Sequence, residues 1–345
     1  MVVPYSIIER LFENVKDSGG LTDNRVMARK KSSNSSSRTP MTRTREPQLP
    51  TEQVATGTGM VDLELDRDNP RQLTVMLDGA PSSFLDLDDP TNVGFEYMEI
   101  MLAVLAELSP GPLNAVHLGA AGCTMARAIE ALRPNSRQIG VDIDGPLLEY
   151  ARQWFDLPRS PKLRLRTGDA RAELAKMADA SADVIIRDVF AGVTTPSHLT
   201  TTEFLAQVLR VLRPGGVYLV NCADRPPLAH ARREVATGWA ALGDYQGAQS
   251  DPGTGADLAL ISEPALLKGR RYGNLVLVIT KPVPEHVAGA RATEAAATVD
   301  LESAALGRRL RTLAVPAHIQ SGRDARAFAG SAAVLRDEPA SSEPA

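Results

Sequence analysis

Aromatic residues are scarce in this chain of 345 residues: Phe, Trp and Tyr make up 4% of it. A core must therefore be filled by Leu, Val, Ile and Ala, and a hydrophobic content of 43% is enough for a large one. Cysteine is nearly absent. Cys123 and Cys222 lie far apart, with no CxxC spacing and no His/Cys clustering, so neither a disulfide framework nor a metal site is expected and a reducing, cytoplasmic setting fits. No apolar run approaches the roughly twenty residues of a membrane-spanning helix. Positive charge is not in excess either. The formal net charge of -4 gives no reason to expect a nucleic-acid partner for the protein as a whole.

The first fifty residues have a composition of their own. Residues 25–45 (RVMARKKSSNSSSRTPMTRTR) carry seven Lys/Arg, no Asp/Glu and a serine cluster, which predicts a disordered, solvated basic arm over residues 1–50. No aromatic residues interleave the charges, as a single-strand nucleic-acid groove would require. Residues 1–16 have the spacing of a short amphipathic helix, and Glu9 and Glu13 argue against a signal peptide.

From residue 51 the pattern turns globular. Apolar and acidic residues alternate in VDLEL, Asp68-Asn69-Pro70 marks a turn, and LTVML resumes an extended run, which together predict a β-hairpin in a region 51–110. A helix is predicted over 95–108, ended by Ser109-Pro110-Gly111. Residues 111–282 then alternate strand and helix: strands at 115–118, 139–141, 162–167, 182–188, 217–222, 257–262 and 274–280, with helices between them. The expectation is an α/β fold with a doubly wound, mostly parallel, Rossmann-like sheet of seven strands. Residues 283–345 read as a mostly irregular tail, with 301–318 left open as a last helix or strand.

The chemistry concentrates at 113–144. An apolar strand enters a turn of small residues (Gly119, Ala120, Ala121, Gly122), a helix follows, and a second strand ends on Asp142 and Asp144. Small residues let a backbone approach a ligand, and a carboxylate about twenty residues on can accept bonds from two ribose hydroxyls. Ligands of open parallel sheets collect beyond the carboxyl ends of the strands. Asp169-Ala170 after the third strand and Asp188 after the fourth fall there too, three acids at three successive strand ends. Each Asp could instead cap the next helix, and Asp144 with Pro146 reads both ways. His117 reads as packed near the sheet, His198 as a solvated loop residue, and Cys123 as a space-filler rather than a nucleophile.

In order, LDG (77–79), Tyr97, Glu99 and Met101 at a helix start, the small-residue turn, VDID (141–144), GDAR (168–171), Asp188, LRPGG (212–216) and YGNLVLVIT (272–280) resemble the spermidine synthase family, the polyamine aminopropyltransferases, over roughly residues 58–281. LRPGG and GDA are shared with class I methyltransferases at large. The resemblance implies a methyltransferase-type fold, decarboxylated S-adenosylmethionine or S-adenosylmethionine as co-substrate, a polyamine or other amine as acceptor, and a homodimer. It implies a site in which Gly119, Ala120, Ala121, Gly122, Asp142, Asp144, Asp169 and Ala170 hold the nucleoside, Tyr97 and Glu99 hold the substrate, and Asp188 is the general base. Departures concern amine-binding acids. Gly122 stands where the family has an aspartate that meets the donor's amine, Ala191 replaces the second acid after Asp188, and Ser82 and Ser83 stand where a glutamine is expected. Methyl transfer and a silent nucleoside-binding module are the alternatives. An aminopropyl acceptor with two ammonium groups would need Glu99, Asp224 or Glu263 to replace the missing acids.

Overall fold

The computed structural model describes residues 49–246, 257–283 and 299–339. The basic arm, and the amphipathic segment within it, lie outside the described residues.

Two sheets make up the fold. The smaller is antiparallel, β1 (Val54–Ala55), β2 (Met60–Leu65), β3 (Gln72–Leu77) and β4 (Ala80–Asp86) in sequence order. The expected hairpin is its centre. The fourth strand was hidden by the proline and serines of APSSFLD, yet Phe84 and Leu85 at its end are buried. Helix α1 (Glu96–Leu105) follows, with seven of its ten residues buried.

The larger sheet begins with β5 (Asn114–Leu118), α2 (Thr124–Leu132), β6 (Arg137–Asp142), α3 (Gly145–Trp154), β7 (Leu163–Thr167), α4 (Ala170–Ala175) and β8 (Ala182–Arg187). It continues with a 3-10 turn (Ser197–Leu199), α5 (Thr202–Val211), β9 (Leu212–Asp224), α6 (Ala229–Gln246), β10 (Leu258–Ser262), α7 (Pro264–Leu267) and β11 (Gly273–Thr280). Its order is β12-β10-β11-β9-β8-β5-β6-β7, with β12 (His318–Ser321) between α8 (Ala304–Arg311) and α9 (Gly322–Ala329). Strands β5 to β9 pair in parallel; β11, β10 and β12 continue antiparallel. The chain reverses direction across the sheet between β5 and β8, which opens a crevice at their carboxyl ends.

The reading of the last sixty residues as mostly irregular is corrected over 299–339. Leu306 and Leu310 bury one face of α8 at helical spacing, Leu301 is buried in the turn before it, and β12 adds an eighth strand to the seven expected.

Alternation along the strands assigns the two faces. On β9, Val217 and Leu219 face the core beneath α1, α2 and α8, whereas Tyr218, Val220 and Cys222 face that beneath α5, α6 and α9. Leu73, Val75 and Leu85 of the small sheet close a third core against α3. No helix among the described residues is long and apolar enough to cross a membrane.

Candidate active site

The small-residue turn sits in the crevice because backbone bonds tie it to both neighbouring strands. Gly119 and Ala120 N–H donate to Val141 O at 2.9 and 3.1 Å, and Asp188 N–H donates to Leu118 O at 2.8 Å. Gly119 has φ +83°, and a Cβ there would stand 2.0 Å from Asp188 O, so no other residue fits. Ala121 and Cys123 stand where a fuller motif would have glycines, and their backbones still take positive φ, 37° and 62°. The turn keeps its shape against their Cβ atoms, at about 1 kcal/mol or more each.

Asp142 is drawn against this turn. Its Oδ2 accepts from Ala121 N–H at 2.8 Å and its Oδ1 from Asp144 N–H at 3.0 Å. Each carboxylate oxygen has a second lone pair, so a diol can still be received. Burial, together with the Asp144 charge, outweighs these bonds and holds the Asp142 carboxyl above its ordinary range.

Asp144 does not join it. The side chain is 1% exposed and caps α3 through Leu147 N–H at 2.9 Å. It also accepts from Gly57 N–H, Thr58 N–H and Thr58 Oγ1 at 2.9, 2.9 and 2.6 Å. Burial would raise its carboxyl, but these donors prevail and hold it at about 2. The expected ligand acid is a staple between the small sheet and α3. Ala170 likewise opens α4 with its side chain in the core.

Asp188 is held from both sides. Tyr97 Oη donates to its Oδ2 and Asn221 Nδ2 to its Oδ1, each at 2.8 Å. Burial raises the Asp188 carboxyl above its ordinary range in spite of both donors, and burial together with Asp188 pushes the Tyr97 phenol far up, so Tyr97 stays a donor. Asn221 was missed in the sequence. Its signal was a lone amide in the apolar run VYLVNC, in phase with Val217 and Leu219 and so on the face of β9 that meets α1.

Tyr97 also lines a narrow cleft between α1 and the β10–β11 connection, with Glu96, Ile100, Glu263, Arg271, Tyr272 and Asn274 among its walls. Glu263, one of the three acids expected as replacements, lines this cleft, ion-paired with Arg271. The other two are elsewhere. Asp224 accepts from Arg225 and Ala231 N–H at the start of α6. Glu99, named as a substrate ligand, accepts from Ala314 N–H and is raised by burial and by Glu96. Glu96, which the sequence reading passed over, lines the cleft instead.

Gly122 N–H donates to Ser83 Oγ at 3.0 Å, and a Cβ on Gly122 would lie 2.8 Å from Ser83 Cβ. Two departures from the family pattern thus touch each other: β4 occupies the space an acid at 122 would need. Thr124 Oγ1 and Arg127 Nη1 bond Phe84 O and Asp86 O at 2.7 and 2.9 Å and suture the same strand to α2. Cys123, with its thiol pushed up to about 12 by burial and Asp142, stays protonated beside the turn. His117 is buried with Nε2 2.9 Å from Gln138 Oε1, and burial lowers it to about 4.

Cys222, His230 and Glu234 bring potential metal-ligand atoms within 4.8 Å of one another. Arg187, 0% exposed, already pairs with Glu234 at 2.8 Å, and burial keeps the Cys222 thiol protonated. A divalent cation would add positive charge beside a buried guanidinium, so the trio is better described as a buried ion-pair network.

A profile described as a methyltransferase domain matches residues 116–216. A polyamine aminopropyltransferase of Chromobacterium violaceum is 30% identical over 139 residues, 40% of this chain and 53% of that protein. An eEF1A lysine and N-terminal methyltransferase of Bos taurus is 29% identical over 146 residues, 38% of this chain and 21% of that protein. The crystal structure of a probable spermidine synthase from Corynebacterium glutamicum aligns with a TM-score of 0.73 at 30% identity, over 86% of this chain and 100% of that one. The chain spans about half the length of the curated aminopropyltransferases it matches.

Proposed function

The chain belongs to the spermidine synthase family as a divergent member on a methyltransferase fold, and on that premise we propose that it transfers the aminopropyl group of decarboxylated S-adenosylmethionine to a polyamine such as putrescine. The observation that carries this is Asp188: a carboxylate raised by burial, aimed by Tyr97 and Asn221, at the strand end beside the small-residue turn.

The reaction needs a neutral amine. Asp188 accepts a proton from the acceptor's ammonium, and a carboxylate with a raised pKa is the stronger base for that step. The freed nitrogen lone pair attacks the methylene carbon next to the sulfonium; the C–S bond breaks and its electrons return to sulfur, leaving methylthioadenosine. Asp142 takes the ribose diol on its free lone pairs and Asp169 faces the base. Glu96 and Glu263, lining the cleft that shares Tyr97, take the acceptor's far ammonium in place of the acid missing at Ala191.

Methyl transfer from S-adenosylmethionine is the second reading. It is favoured by Gly122, where Ser83 fills the place of a carboxylate that would meet the donor's amine.

Asp188→Asn should lower turnover at least about 100-fold while nucleoside affinity, read by calorimetry, stays within a few fold. Full activity in that variant would remove Asp188 from the role of base.

A further inference from the structure

Both oxygens of Asp169 have partners. Oδ1 accepts from Ala172 N–H at 2.9 Å, the cap of α4, and Oδ2 lies 2.8 Å from His198 Nε2. A nucleobase amine that seeks Asp169 from the crevice therefore meets an N–H donor already in place.

His198 is perched on a fixed backbone. Arg171 Nη1 bonds His198 O at 3.2 Å and Arg187 Nη1 bonds Leu199 O at 2.7 Å. Arg171 is itself held by both oxygens of Asp337, at 2.7 and 2.5 Å, and Thr201 Oγ1 donates to Asp337 at 2.8 Å. The C-terminal segment is in turn pinned by Thr202 N–H to Leu335 O and by Leu335 N–H to Thr237 Oγ1, at 3.0 and 2.9 Å. The backbone at 198 is thus clamped from two sides, while the imidazole and the Asp169 carboxylate are 45% and 38% exposed. The part free to move is the His198 side chain.

We propose that His198 is a competing latch on the nucleobase site: its imidazole occupies the Asp169 oxygen that a nucleobase amine takes, and a bound amino-purine displaces it by rotation of that side chain. The proposal rests on the reading of the crevice as a nucleoside site. An amino-purine exchanges one N–H donor for another at Asp169. A keto-purine would leave the carboxylate facing an oxygen, so it cannot displace the latch. An exposed pair of this kind contributes little, which limits the competition to a small factor.

The test is calorimetric titration of the full chain with methylthioadenosine and with its inosine counterpart. His198→Ala should bind methylthioadenosine about two- to fivefold more tightly than the parent, with His198→Gln in between. Both should still reject the inosine compound. Unchanged or weaker binding by His198→Ala would overturn the latch, since a residue that touches the nucleoside directly weakens binding when removed. Asp142→Ala separates the two layers. If it abolishes binding while His198→Ala fails to tighten it, the latch alone falls; if it leaves affinity unchanged, the site reading falls and the latch with it.

Discussion

Asp188 shows how one residue's chemistry depends on its neighbours. Tyr97 and Asn221 both donate to its ionised form, so each lowers a carboxyl that burial raises. Removing either donor leaves burial less opposed and the carboxyl rises further. A base works only when deprotonated, so the acid limb of the pH–rate profile should move to higher pH in Tyr97→Phe and in Asn221→Ala. A limb that stays in place, or moves down, would show that these donors do not control Asp188. The sequence made Asp142 and Asp188 visible because each ends a short apolar strand, where side-chain period and strand direction leave few choices. It hid Asn221, since a partner on the neighbouring strand is set by register, and register is not local. Asp144 was ambiguous for a physical reason as well. An Asp before Gly-Pro at a strand end suits a helix cap and a ligand equally, and only the arrival of Gly57 and Thr58 from 86 or more residues away decides between them.

Among elements, the small sheet matters more than a hairpin preceding the main fold would suggest. It is joined to α3 by Asp144 and to α2 by Ser83, Phe84 O and Asp86 O, so it forms one wall of the crevice. Removing the Asp144 carboxylate leaves four donors without their acceptor; Asp144→Ala should cost about 2 kcal/mol and lower Tm by roughly 4–8 °C. The pH dependence has a definite sign. The Asp144 carboxyl is at about 2 in the folded chain, below its ordinary 3.8, so its contribution is fully present above about 3.8 and is lost as pH falls toward 2. Parent and variant should therefore converge in stability at acid pH and differ most at neutral pH, as urea melts across that range would reveal. A difference that persists unchanged into acid would contradict the staple. Ser83 was legible only as a departure from a pattern; its contact with Gly122 explains why the two departures occur together.

At the scale of the whole molecule, strand-helix alternation specified the doubly wound sheet well, because the central parallel strands β5, β8 and β9, buried on both faces, leave apolar runs, while the edge strand β7 alternates. The C-terminal region was less legible. Its alanine- and arginine-rich composition resembles a tail, yet a few leucines and Ala317 suffice once a sheet edge and α1 are present to receive them. That region carries Asp337, which holds the perch of His198, so a C-terminal segment reaches the crevice that the middle of the chain builds.

The central claim is that this crevice supports aminopropyl transfer with Asp188 as base. Mass spectrometry of the purified chain, incubated separately with decarboxylated and ordinary S-adenosylmethionine and a panel of diamines, tests it most directly. The account predicts methylthioadenosine and an aminopropylated amine from the decarboxylated donor, with both formed at least about 100-fold more slowly by Asp188→Asn. S-adenosylhomocysteine and a methylated amine from the ordinary donor, with no methylthioadenosine from the other, would contradict it.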